Sequence, residues 1–147
     1  MRIVTWNVNG LRAALRKGFA DHLAQMAPDV VLLQEVRAFP EQLPDGWADP
    51  EGWHVLWHPA ERKGYSGTAV WSRHPMVEDG RGIGTSDPEG RVLWVRVGDV
   101  QLVSVYLPSG SSSAERQEVK EAWMDVFRPW VDELAHLDEP VIMGGDF

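Results

Sequence analysis

The opening residues constrain the fold more than any other stretch. Ile3, Val4, Trp6 and Val8 alternate with polar neighbours, which predicts a strand near the start of the sequence. The run ends on two carboxamides, Asn7 and Asn9, then Gly10, and a helix-compatible run over residues 11–17 follows at once. Strand, polar end, glycine turn and helix is the order in which open sheets present their chemistry, at the carboxyl edge. Asparagine is a poor strand former, so two of them there need a reason. Either they serve the turn, since Asn bonds its own backbone and tolerates tight conformations, or a carboxamide orients a phosphate or helps to hold a hard cation. This stretch alone leaves both readings open.

The same pattern recurs downstream. Apolar residues at near-helical spacing over residues 11–27 predict a helix interrupted at Gly18 and stopped by Pro28 and Asp29. The continuous run Val30-Val-Leu-Leu33 predicts a buried central strand. It ends at Gln34-Glu35-Val36-Arg37. A carboxylate directly after four buried positions is costly unless paired. Glu35 therefore emerges into solvent, pairs with Arg37, or serves as a metal ligand at a second strand end. The last is favoured because the first strand end also carries ligand-capable groups, and neighbouring strands would bring Asn7 and Glu35 together.

Residues 39–52 read as loop and residues 53–57 as a strand, with His54 and His58 as surface or packing residues. Residues 61–67 form a glycine-punctuated loop with two cations and Tyr65, leading into a strand over residues 68–72. Such a loop either receives a phosphodiester backbone or is an ordinary hairpin turn. Residues 74–90 read as a second loop, whose glycines lack the spacing of a nucleotide site. A hairpin is predicted over residues 91–107 across Gly98-Asp99, with the Tyr106 hydroxyl at its far end. Arg91 opens it, either beside a phosphate or as an outward surface cation. Ser112 to Glu115 fits a capping box. It precedes a helical stripe of Val119, Ala122, Trp123, Val126, Phe127, Trp130, Leu134 and Leu137, which Pro129 is expected to kink or divide. A short apolar strand over residues 140–143 then runs into Gly144-Gly145-Asp146.

Composition narrows the function classes. A chain of 147 residues, 44% hydrophobic, is one domain at most, with enough apolar residues for a sizeable core. The absence of cysteine excludes disulfides and thiolate zinc and fits a reducing, cytoplasmic setting. No basic segment followed by an apolar run reads as a signal peptide. No run approaches the ~20 apolar residues that cross a bilayer, so no membrane role is expected. A net charge of −8 argues against non-specific adhesion to nucleic acid. It leaves room for an enzyme that gathers cations at carboxylates.

Four strand ends thus carry Asn7, Glu35, Tyr106 and Asp146. Around them stand Trp-Asn-Val-Asn-Gly-Leu-Arg-Ala at residues 6–13, Leu-Gln-Glu at 33–35, Gly-Tyr-Ser-Gly at 64–67, Gly-Arg-Val at 90–92, Tyr-Leu-Pro-Ser-Gly at 106–110 and Gly-Asp-Phe at 145–147. In type and order this set resembles the exonuclease III family of apurinic/apyrimidinic endonucleases, within the endonuclease/exonuclease/phosphatase superfamily. The first motif separates that branch from the phosphatase and sphingomyelinase branches. The resemblance implies an α/β fold, the N-terminal half of a four-layer sandwich of mostly antiparallel or mixed sheets with flanking helices. It implies a Mg²⁺-dependent phosphodiesterase, with Mn²⁺ as the alternative metal. The substrate would be double-stranded DNA at abasic sites or 3′ ends, and the whole protein a monomer. Glu35 and Asn7 would serve the metal, Tyr106 the scissile phosphate and Asp146 the attacking water, with Tyr65 and Arg91 on the DNA backbone.

The family pattern continues with Asn after Gly-Asp-Phe and later supplies an Asp-His pair. Residues 1–147 are therefore expected to form a single, C-terminally incomplete domain, inactive alone. It is expected to cover roughly the first sheet and to leave an apolar sheet face uncovered. The alternative is a non-catalytic DNA-binding or self-associating module.

Overall fold

The computed structural model describes residues 1–110 and 113–147. In chain order the elements are β1 (Ile3–Asn7), α1 (Leu11–Arg16), α2 (Phe19–Met26), β2 (Val30–Gln34), a single 3₁₀ turn (Pro40–Gln42), β3 (His54–His58), β4 (Thr68–Ser72), β5 (Val77–Arg81), β6 (Val92–Val97), β7 (Val100–Tyr106), α3 (Ala114–Leu134) and β8 (Val141–Asp146). They build two four-stranded mixed sheets, ordered β1-β2-β4-β3 and β5-β6-β7-β8. In each sheet the parallel pair is joined through helix: β1 to β2 through α1 and α2, and β7 to β8 through α3. A parallel pair needs such a crossover, and it leaves the carboxyl ends of both strands on one rim.

The layering follows from side-chain type. Aliphatic residues fill the space between the sheets: Val30, Leu32 and Val70 from the first sheet meet Leu93, Val95 and Leu102 from the second. The outer faces carry the aromatics. On the first sheet Phe19, Trp47, Trp53 and Trp57 surround the fully buried Trp71 at centroid distances of 5.6 to 6.1 Å. On the second, Trp94, Phe127 and Trp130 pack beneath α3. Slim aliphatic side chains suit sheets stacked about 10 Å apart, and bulky rings suit the uneven gaps under helices and loops.

Several expectations change. The chain does not form one sheet with a bare apolar face. It contributes four strands to each of two sheets that cover one another, so helix, sheet, sheet and helix are all present. Residues 77–81, read as loop, are the edge strand β5. Its sequence, Val-Glu-Asp-Gly-Arg, has too few apolar residues to show a pattern. An edge strand open to solvent on one side needs little apolar content, and Asp79 is held by the Arg96 guanidinium of the neighbouring strand at 2.8 Å. Pro129 does not divide the last helix: α3 runs 21 residues through it, because Phe127, Trp130 and Leu134 anchor the helix on both sides. The buried stripe is narrower than expected, with Val119, Val126 and Leu137 exposed. The helix cap is Ser113, whose side chain accepts from the Arg116 N–H at 3.1 Å. Ser112, on which the capping box was placed, lies outside the described residues.

Candidate active site

All four residues singled out at strand ends meet on one rim. Asn7 closes β1, Glu35 follows β2, and Tyr106 and Asp146 close the adjacent strands β7 and β8, where they stand in register. The first two belong to one sheet and the last two to the other. The Asn7 carboxamide bridges them: its Nδ2 donates to Glu35 Oε1 at 3.0 Å and to Asp146 Oδ2 at 2.7 Å. Its Oδ1 accepts the Asn9 backbone N–H at 2.9 Å. That last bond fixes the orientation, since a backbone N–H needs an acceptor. The nitrogen of Asn7, and not its oxygen, therefore faces the carboxylates.

The backbone that presents these groups is strained. Asn9, Glu35, Arg37 and Ser66 all have φ near +50°, a conformation that costs free energy for residues with a Cβ and clusters at functional sites. Hydrogen bonds across the strand ends hold it: Gly10 N–H to Glu35 O at 2.8 Å, Val36 N–H to Gly67 O at 3.0 Å and Arg37 N–H to Ser66 O at 2.8 Å.

Electrostatics set the protonation states. Burial raises the Glu35 carboxyl. Hydrogen bonds from Asn7 and Tyr106 and the charge of Arg37 outweigh it, so the group sits below its ordinary value and stays ionised. The Tyr106 phenol is pushed up to about 12, first by burial, then by its hydrogen bond to Glu35 and the negative charges of Glu35 and Asp146. It is a neutral hydrogen-bond donor at any ordinary pH. Glu35, Tyr106 and Asp146 line one cleft of about 480 Å³, with Gln117 and Lys120 of α3 on its far wall.

The second group of predicted residues lies beside this cleft. Arg91 is not an outward surface cation. Its side chain is 4% exposed, its guanidinium pairs with Glu89, and it donates to the Tyr106 carbonyl at 3.2 Å and the Tyr65 hydroxyl at 3.3 Å. The loop that delivers it is fastened by Asp87, whose Oδ2 accepts the backbone N–H of Arg91 and of Val92, both at 2.9 Å, and pairs with His58 Nε2 at 2.8 Å. His58 is thus a packing residue, one of the two readings given for it. Gly90 is needed there, because a Cβ would stand 2.3 Å from the His58 carbonyl.

One cation contact here is among the expected alternatives, the pairing of Glu35 with Arg37, and one is not. Arg37 bonds the second oxygen of Glu35, and Arg116 donates to the Tyr65 hydroxyl at 3.3 Å. The Arg37 contact is the ion pair open to Glu35 from the sequence. Arg116 sits 51 residues from Tyr65, and nothing local signals that pairing.

The donor set speaks to the metal. Among the described residues no group of three or more His, Cys, Asp or Glu gathers. The rim offers two carboxylates and no nitrogen or sulfur ligand. Mg²⁺ keeps several waters and binds through one or two carboxylates together with substrate phosphates. The residues present fit a hard cation held in that way, with Glu35 and Asp146 as the protein donors.

Comparison with known proteins identifies the family. The model of the "Endonuclease/Exonuclease/phosphatase family" matches residues 4–147. The chain is similar to an exodeoxyribonuclease of Bacillus subtilis, 38% identical over 99% of this chain and 58% of that protein. It is also similar to the DNA repair nuclease APEX1 of Danio rerio, 36% identical over 99% of this chain and 48% of that protein. Among solved structures, the 3′ phosphatase NExo of Neisseria bound to a product DNA hairpin superposes with a TM-score of 0.83 at 30% identity, covering 100% of this chain and 57% of that one. The chain spans about half the length of the curated relatives it matches.

Proposed function

The chain belongs to the endonuclease/exonuclease/phosphatase family, and we propose that the protein containing it is a Mg²⁺-dependent DNA phosphodiesterase of the exodeoxyribonuclease III and abasic-site endonuclease type. The observation that carries this reading is the Asn7 carboxamide touching two carboxylates from separate sheets beside a neutral tyrosine. DNA-acting relatives at 36 and 38% identity support it.

In this reading Glu35, ionised and reachable from the cleft, holds the cation, with Asp146 near it. A cation bound there would supply Lewis-acid polarisation of the phosphoryl oxygens and of the leaving group. Asp146 aligns the attacking water and accepts its proton at a carboxylate oxygen. Tyr106 donates its O–H to a phosphoryl oxygen as negative charge develops there. Asn7 serves both carboxylates by holding them in place through its N–H groups. Tyr65 meets the DNA backbone, and Arg91, buried behind it, fixes Tyr65 and Tyr106 from beneath. Arg116, exposed beside Tyr65, adds a cation at that surface.

The substrate is double-stranded DNA, cut beside abasic sites or trimmed at 3′ ends, and the whole protein acts as a monomer in the cytoplasm. Activity belongs to a polypeptide of the relatives' length, in which residues 1–147 supply one part of the site and are inactive alone. The test is a labelled duplex with one abasic site and a matched duplex with a recessed 3′ end. Nicking or end trimming that EDTA abolishes and Mg²⁺ restores is the expected result. Undiminished cleavage in EDTA would remove the metal from the account.

A further inference from the structure

The rim residues stand on a second polar layer. Along the inner faces of the two sheets, Thr5 precedes Asn7 by two residues, Ser104 precedes Tyr106, and Gly144 precedes Asp146. Gln34 directly precedes Glu35. Strand periodicity puts each of the first three on the same face as its partner, one step deeper. Below them Val30, Leu32 and Val70 of the first sheet pack against Leu93, Val95 and Leu102 of the second.

Within this layer the sheets touch through hydrogen bonds. Gln34 is 1% exposed and Ser104 fully buried. Gln34 Nε2 lies 3.0 Å from Ser104 Oγ, 3.1 Å from Thr5 Oγ1 and 3.1 Å from the Leu32 carbonyl. Ser104 Oγ donates onward to the Leu33 carbonyl at 3.0 Å. One amide and one hydroxyl thus tie β7 of the second sheet to β2 of the first. Gly144 allows the close approach at the same level: a Cβ there would lie 2.8 Å from Leu32 Cδ1 and 3.1 Å from Thr5 Cβ. An amide buried beside an aliphatic core is a weak source of stability, because removing it from water offsets most of what its hydrogen bonds return. What it adds is a defined spacing, since aliphatic faces can slide and a directional bond cannot.

We propose that the Gln34–Ser104 bridge sets the separation and register of the two sheets directly beneath the rim, which makes Gln34 a positioning residue for the site. The site is split between the sheets, so its geometry depends on that separation. Asn7 and Glu35 move with β1 and β2, and Tyr106 and Asp146 move with β7 and β8. The kinetic consequence rests on the proposed phosphodiesterase reading; the structural one does not.

The test uses the full polypeptide with Gln34→Met, which keeps the volume and removes the amide. Ser104→Ala and Ser104→Thr form a second pair, the latter retaining the hydroxyl. Crystal structures of the variants measure the Asn7 Nδ2–Asp146 Oδ2 contact, 2.7 Å in the parent chain. Steady-state cleavage of the abasic-site duplex measures kcat and KM. The expected result is that Gln34→Met and Ser104→Ala part this contact beyond hydrogen-bond reach while Ser104→Thr keeps it. On the kinetic side kcat falls on the order of a hundredfold, as small misplacements do, with KM nearly unchanged. If Gln34→Met fails to fold, the Ser104 pair decides alone. An Asn7–Asp146 contact unchanged in Ser104→Ala overturns the proposal, whatever the kinetics. A wild-type protein without cleavage activity would overturn the functional reading, and the crystallographic comparison would still decide this one.

Discussion

At the scale of single residues, the site is a set of hydrogen bonds whose donors and acceptors fix each charge. Asn7 gives both N–H groups to carboxylates, so Asn7→Asp would set three negative groups together. It is expected to lower activity on the order of a hundredfold or more, as loss of an oriented donor does, read as kcat on the abasic-site duplex. Tyr106→Phe removes the neutral O–H that hydrogen-bonds Glu35. A loss on the order of 10²–10³ in kcat is expected with the fold retained. The pH dependence has a definite sign. The Glu35 carboxyl is lowered in the folded chain, so its contribution to stability is present above the ordinary glutamate range and is lost as pH falls through the folded value. Metal-free chemical denaturation across acid pH should show that limb, and Glu35→Gln should flatten it. The Tyr106 phenol is raised to about 12, so its contribution is present below the ordinary phenol value and is lost as pH climbs toward 12. Asn7, Glu35, Tyr106 and Asp146 were legible because each ends an apolar run with a group that such a run has no packing use for. The orientation of Asn7 was not, because it depends on the Asn9 N–H, a matter of turn geometry.

At the scale of elements, β1 to β4, β6 and β7 lie within a residue of their expected bounds, and β4 matches at both ends, whereas β8 runs three residues past the expected 140–143. β5 was missed because it is mostly exposed and carries a single large apolar residue, Val77, too little to make an alternation. α3 was found, but the expected break at Pro129 was not there. A proline removes one backbone hydrogen bond and crowds the preceding turn, and the packing of Phe127, Trp130 and Leu134 under the helix outweighs that cost. Pro129 is exposed, so Pro129→Ala should relieve the strain without opening a cavity. A gain of about 1–3 kcal/mol is expected, measured by urea denaturation. A loss of stability would mean that α3 is held by something other than the stripe beneath it.

At the scale of the whole molecule, sequence order concealed the layering. The family resemblance implied coverage of roughly the first sheet, whereas the chain divides its strands equally between two and brings Asn7, Glu35, Tyr106 and Asp146 together where their carboxyl rims meet. Local periodicity says which face of a strand is buried and is silent on which sheet the strand joins; the long-range pairings of β2 with β4 and of β7 with β8 decide that. Residues 1–147 supply two carboxylates to the rim, and the purified chain is predicted to show no Mg²⁺-dependent nicking above background, in contrast to a polypeptide of the relatives' length that contains it. The most direct test of the two-sheet site is the rate at which that longer polypeptide nicks an abasic-site duplex in Mg²⁺, wild type against Glu35→Ala. Both should show the same circular dichroism and melting behaviour. The account predicts that the variant's nicking falls by at least two orders of magnitude, on the scale of lost transition-state charge stabilisation. Nicking by folded Glu35→Ala at the wild-type rate would contradict it.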